Sequence, residues 1–181
     1  MKYCSHCATE LEFRIPDGDN RARHICPACN RIFYLNPRIV AGTIPVLDGK
    51  ILLCRRAIEP RKGYWTLPAG FMENGESTEQ AAVRETLEEA QASVSLRSLF
   101  SMITVPHIDQ VHIFFLADML SAEYGAGEES LEVALFSEAD IPWRELAFPT
   151  VSQTLKRYFS NPATTQNTHV FDINLPYDKA F

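Results

Sequence analysis

Two apolar runs, IVAGTIPVL (39–47) and KILLCRR (50–56), flank the dipeptide Asp48-Gly49. The runs read as strands, and Asp-Gly between them is a hairpin turn signal. Cys54 lies inside the second run, where a lone cysteine packs as a small hydrophobe. A different period takes over at Ser77. At about 100° per residue, Val83, Leu87 and Ala90 share one helix face, while Glu85, Glu88 and Glu89 share the opposite one. Ser77 with Gln80 three residues on is a capping-box signature for the start of that helix. The pattern therefore predicts a helix with an apolar side for a core and an acidic side for something else.

Further on, VSLRSLFSMITV (94–105) and VHIFFLADML (111–120) read as strands around the turn Pro106–Gln110, and EVALF (132–136) as another. Pro149 opens a last helix with Val151, Leu155, Tyr158 and Phe159 at core spacing. Residues 160–181 show neither period. They read as an extended arm whose Phe171, Leu175, Tyr177 and Phe181 are expected to dock on their own domain or on a neighbour.

The first 37 residues are different again. Cys4-Ser5-His6-Cys7 and Cys26-Pro27-Ala28-Cys29 form two CxxC knuckles separated by a stretch the right length for one Cys₄ zinc site. His6 and His24 sit beside these ligands as bystanders. So short a segment buries little, and zinc would supply much of its folding free energy. Its basic and acidic residues nearly balance, so no basic stripe emerges. The chain as a whole carries a net charge of −6 with a pI near 5.4, which argues against a nucleic-acid grip as its main task. No run of eighteen apolar residues is present, and MKYCSHCATE lacks the apolar core of a secretory signal. A cytoplasmic protein is expected.

Like charges at i,i+3 and i,i+4 oppose helix formation by about 0.2–0.5 kcal/mol per pair, and the helix after Ser77 tolerates several. A hard divalent cation would relieve that repulsion, because Mg²⁺ takes carboxylate oxygens and shares its shell with substrate phosphates. Of the strand-end arginines Arg55 and Arg56, one suits a diphosphate and the other the surface. Trp65 fits loop packing or a base platform, and His107 fits an exposed turn or a catalytic base.

Gly70, five residues, Glu76, seven residues, then Arg84-Glu85-Thr86-Leu87-Glu88-Glu89 resembles the Nudix box, the signature of the Nudix hydrolases. Thr86 and Ala92 depart from it where the family prefers bulkier aliphatic residues. Gln91 departs where it has Gly, a residue that ends helices easily in a left-handed conformation. Taken over residues 1–160, the chain is most similar to Nudix hydrolases with an N-terminal zinc ribbon. The stretches ILLCRRAIEPRKGYWTLPAGFMENGES, ESLE and ADIPWRELAF resemble the plant chloroplast FAD pyrophosphohydrolases.

The resemblance implies an α/β fold: a Nudix α/β/α sandwich with a mixed sheet (38–160), a zinc ribbon before it (1–37) and an arm after it (161–181). It implies hydrolysis of FAD to FMN and AMP, or of ADP-ribose to AMP and ribose 5-phosphate. Mg²⁺ or Mn²⁺ would be held by Glu85, Glu88, Glu89 and the Gly70 carbonyl, with Zn²⁺ structural at Cys4, Cys7, Cys26 and Cys29. Arg84, paired with Glu76, would orient loop and helix. Arg55, Trp65, Gln110 and Glu129 are the candidate substrate contacts, and Glu128, Glu129, Glu132 or His107 would assist catalysis. NADH is the runner-up substrate, since the SQPWPFP-type array of NADH pyrophosphatases is missing. A non-catalytic zinc-ribbon adaptor that senses a nucleotide is the alternative of another class, and a homodimer is expected.

Overall fold

The computed structural model describes residues 1–160 and 167–174, so Leu175, Tyr177 and Phe181 of the expected arm lie outside the described residues. It divides into two compact units between Asn36 and Pro37.

Three short antiparallel strands make up the first unit: β1 (Glu12–Arg14), β2 (Arg23–Ile25) and β3 (Ile32–Phe33), in the order β1-β2-β3. Its buried residues are Cys4, Pro16, Ile25 and Cys26. Such a core is too small to hold a fold by apolar burial. Both knuckles have one geometry. The residue after each second cysteine, Ala8 or Asn30, takes a positive φ of 58° or 56° and donates its N–H to the carbonyl of Cys4 or Cys26 at 2.9 Å. His24 packs edge-on against Phe13 at 5.0 Å and is not among the clustered ligands.

The second unit is built on β4 (Arg38–Leu47) and β5 (Lys50–Arg56). Asp48 and Gly49 between them both take positive φ, 49° and 75°, the turn geometry that closes a hairpin in two residues. Short β6 (Trp65–Thr66) pairs with β5 and β7 (Ala69–Phe71) with β4. After α1 (Thr78–Ala90) come β8 (Val94–Val105), β9 (Gln110–Met119), β10 (Ser130–Phe136), α2 (Pro149–Ser160) and β11 (His169–Asp172). The sheet runs β10-β5-β4-β9-β8-β11, with β4–β9 and β8–β11 parallel and the remaining pairs antiparallel. No helix among the described residues is long and apolar enough to cross a membrane.

Both faces of this mixed sheet are covered, which explains why its central strands read as continuous apolar runs. Ile44, Ile51, Leu53, Phe114 and Leu116 meet Val151 and Leu155 of α2 on one side. Ala41 and Phe115 meet Ala81 and Ala82 of α1 on the other, where Leu52, Cys54 and Ala117 meet Ala90. The expected sandwich is present. The expected arm partly docks on its own domain: β11 adds to β8, Phe171 packs on the core, and Arg157 sits 3.7 Å over the Phe171 ring.

The core face of α1 needs correction. Leu87 is 53% exposed, and the buried residues are Ala81, Ala82, Thr86, Glu89 and Ala90. Small side chains let the helix lie close on β4, so the seam is set by alanines rather than by Val83 and Leu87. Thr86 finds a polar partner there: its hydroxyl donates to the Ala82 carbonyl and meets the Thr43 hydroxyl, each at 2.7 Å. Thr86→Val alone is therefore expected to cost about 1–2 kcal/mol, because it strands the Thr43 hydroxyl in the core. The double variant Thr43→Val/Thr86→Val should recover most of that loss in urea melts analysed as a double-mutant cycle. Additive losses would rule the pairing out.

Candidate active site and metal centre

In the first unit the four cysteine sulfurs lie within 4.8 Å of one another. Cys4 Sγ is 3.7 Å from Cys29 Sγ and Cys7 Sγ is 3.4 Å from Cys26 Sγ. Four sulfurs about 2.3 Å from one tetrahedral ion would stand about 3.8 Å apart, so the cluster fits zinc by ligand type, number and spacing.

In the second unit, Ser77 and Gln80 form the capping box that starts α1. The helix ends at Gln91, which takes the left-handed conformation (φ 48°) that Gly would adopt freely. The loop at Gly125–Gly127 compensates. Gly125 and Gly127 donate their N–H groups to the Ala90 and Glu89 carbonyls, and the Gln91 amide donates to the Ala126 carbonyl. A Cβ at Gly127 would fall 1.7 Å from the Glu88 carbonyl oxygen, so only Gly lets this loop approach.

Arg84 is the hub of the acidic helix. Its Nε and Nη2 donate to both oxygens of Glu76 at 3.0 and 2.8 Å, and its Nη1 donates to Glu85 at 2.7 Å and Glu88 at 2.9 Å. Nη2 also reaches the Phe71 carbonyl at 3.2 Å, and Glu76 accepts the Glu73 N–H at 2.6 Å. One guanidinium thus ties loop, strand and helix together and holds Glu76 down to about 2.

Strand β7 faces two ways. Thr43 N–H bonds to the Pro68 carbonyl and Met72 N–H to the Ile39 carbonyl, so by antiparallel alternation Gly70 points its backbone groups at β4. Ala69 and Phe71 point theirs at α1, where Ala69 N–H donates to Glu89 Oε2 at 3.0 Å. A Cβ on Gly70 would lie 2.3 Å from the Glu85 carboxylate. The glycine therefore makes room for that acid.

Glu89 is only 7% exposed, and burial pushes its carboxyl up to about 8. Burial also raises Glu85, and the Glu129 charge adds to the rise of both. Arg56 opposes it at Glu89. These groups open on a cleft of about 1000 Å³ whose walls carry seven carboxylates, including Glu128 and Glu129, against three guanidinium groups, Arg38, Arg56 and Arg84. A diphosphate would be repelled from such walls unless cations intervened. The hard oxygen donors of Glu85, Glu88 and Glu89 suit magnesium or manganese.

The remaining candidates divide. Gln110, Glu128, Glu129 and His107 line the cleft. Arg55 instead donates to the Gly63 carbonyl at 2.9 Å and reaches Glu132 at 3.5 Å, and neither it nor Glu132 lines the cleft. Arg56, its neighbour on the other strand face, does. Trp65 is buried against Phe136 at 4.9 Å, as core packing. Sequence reasoning did not single out Arg38, His112 or Thr150, all of which line the cleft from separate elements.

Comparison with known proteins agrees with this geometry. The model of the NUDIX domain matches residues 36–158, and that of the Nudix N-terminal segment, a zinc ribbon, matches residues 2–35. An ADP-ribose pyrophosphatase of Methanocaldococcus jannaschii is 36% identical over 119 residues, 64% of this chain and 69% of that protein. The NAD-capped RNA hydrolase NudC of Chromobacterium violaceum is 33% identical over 141 residues, 77% of this chain, and this chain spans about half of its length. A crystal structure of a NUDIX hydrolase from Nitrosomonas europaea superposes with a TM-score of 0.93 at 48% identity, covering 97% of this chain and all of that one. With box, fold and ribbon all in place, the chain belongs to the Nudix family of hydrolases.

Proposed function

We propose that the protein hydrolyses the diphosphate of a nucleoside diphosphate-linked sugar, with ADP-ribose as the leading substrate and AMP and ribose 5-phosphate as products. The observation that carries this reading is the gathering of Glu85, Glu88 and Glu89 on one side of an acidic cleft of about 1000 Å³, with Arg84 bonded to the first two and the Ala69 N–H to the third. The M. jannaschii relative, named as an ADP-ribose pyrophosphatase, favours ADP-ribose over FAD. Magnesium or manganese, when bound, supplies charge neutralisation at the phosphates and a more acidic water. Glu85, Glu88 and Glu89 would hold it with the Ala69 carbonyl, which faces α1, and not with the expected Gly70 carbonyl, which is turned to β4. Arg84 orients Glu85 and Glu88 through the contacts described above, and the Ala69 N–H orients Glu89. Arg56, whose charge is felt at Glu89, is placed for the phosphate oxygens. Glu129 is the carboxylate best placed to take the proton of the attacking water, since Glu132 is engaged with Arg55.

The test is phosphate release, coupled to a phosphatase, across ADP-ribose, FAD, NADH, diadenosine polyphosphates and dNTPs with Mg²⁺. The highest kcat/KM is expected for ADP-ribose. A higher value for FAD or NADH would reassign the substrate. Inactivity on every compound, with zinc and magnesium supplied, would put a nucleotide-sensing role in place of catalysis.

A further inference from the structure

Three buried side-chain polar atoms among the described residues have no hydrogen-bond partner: His107 Nδ1, His112 Nδ1 and Thr150 Oγ1. All three residues line the one cleft. They reach it from different elements: the turn Pro106–Ile108, strand β9 and the first turn of α2. Strand alternation puts His112 on the face of Phe114 and Leu116, the face α2 covers. Thr150 is 4% exposed and His112 is 9% exposed. Stranding polar atoms at such depth costs stability, and three residues that do so on the lining of one cleft point to a ligand that pairs them.

The chemistry of the corner narrows that ligand. His112 Nε2 stands 2.8 Å from Gln110 Oε1. With that oxygen accepting, Nε2 carries the hydrogen and Nδ1 is a bare acceptor that needs a donor. Burial lowers His112 to about 4, so the ring is neutral at physiological pH and offers no charge to a phosphate. The Thr150 hydroxyl both donates and accepts. Ile108, Phe148 and Ile173 supply apolar flanks. A group that donates, accepts and carries no charge meets these demands: a sugar hydroxyl.

We propose that His107, His112 and Thr150 form a subsite for the hydroxyls of the terminal pentose, the sugar beyond the diphosphate from the nucleoside. The assignment rests on the reading of the cleft as a nucleoside diphosphate-sugar site. It makes the three residues specificity determinants, acting on which group the diphosphate carries.

The experiment is calorimetric titration of ADP-ribose, as its non-hydrolysable α,β-methylene analogue, and of AMP into the zinc-loaded full-length protein with Mg²⁺ present, for wild type, Thr150→Val and His112→Phe. Each substitution should weaken ADP-ribose by about tenfold and leave AMP unchanged. Thr150→Val should not lower Tm, because it removes a hydroxyl that has no partner in the protein; a packing role would lower it. Equal weakening of both ligands, no weakening of either, or wild-type ADP-ribose binding no tighter than AMP would each overturn the subsite. Turnover with Mg²⁺ is scored separately. Hydroxyl-dependent binding without turnover defeats the catalytic reading alone, and turnover with unaltered binding in the variants defeats the subsite alone.

Discussion

Glu89→Gln is expected to lower kcat/KM on the preferred diphosphate substrate by about 10²–10³-fold or more, and to stabilise the metal-free protein. The two effects share a cause. Glu89 is buried, and burial pushes it up to about 8 from a usual 4.5. The native protein then keeps a proton that the unfolded chain releases near 4.5. Metal-free stability therefore falls as pH rises from about 4.5 to about 8, by an amount on the order of 5 kcal/mol at most. Gln keeps the volume and can still accept from Ala69 N–H, but it has no proton to lose and no charge to offer a cation. Melting curves of the two metal-free proteins should coincide near pH 5 and separate towards pH 8, with the variant higher. Near-normal turnover of the variant at saturating Mg²⁺, or a parallel pH slope, would defeat the role given to this carboxylate.

The second large effect belongs to the ribbon. Wild-type protein should carry one zinc per chain, and Cys26→Ser should lose it and unfold residues 1–36. Structural zinc sites of this kind contribute roughly 10–16 kcal/mol of apparent binding free energy at neutral pH. The four buried residues here, two of them cysteines, offer no comparable source. Elemental analysis gives the stoichiometry, and hydrogen exchange resolved along the chain reads the unfolding. Strands β1 to β3 should lose protection while β4, β5 and β9 keep theirs, because the second unit has its own core. Unchanged protection of Arg23–Ile25 in the zinc-free variant would show that the ribbon stands without metal.

Local chemistry makes several elements readable from the sequence alone. Asp48-Gly49 announces its hairpin, Ser77 and Gln80 announce the start of α1, and Pro149 announces α2. The box also marks its own hub, since an arginine among glutamates at helical spacing has close partners. What escaped reading was set across elements. Leu87 outweighs Ala81 and Ala82 in an apolar count, yet the closeness of α1 to β4 favours small side chains. Arg55 and Arg56 differ by one position on a strand whose period is two, so only the register decides which meets the cleft. His112 and Thr150 are 38 positions apart and share no motif. Gln91 breaks the expected glycine pattern, and its left-handed turn is held by the 125–127 loop, far along the chain.

The parallel pairing of β11 with β8 bears on synthesis at the ribosome. β9 can pair with β8 as soon as it emerges, across a four-residue connection. The other edge of β8 must wait until α2 and then His169–Asp172 have been made. Until then Ser101–Thr104 is an open template of unpaired backbone groups, the kind that recruits strands from neighbouring chains. Ile173 follows directly and lines the cleft. A nascent or truncated chain would thus be both sticky and short of one wall of its site, so completion of the sheet and completion of the cleft fall at the same moment.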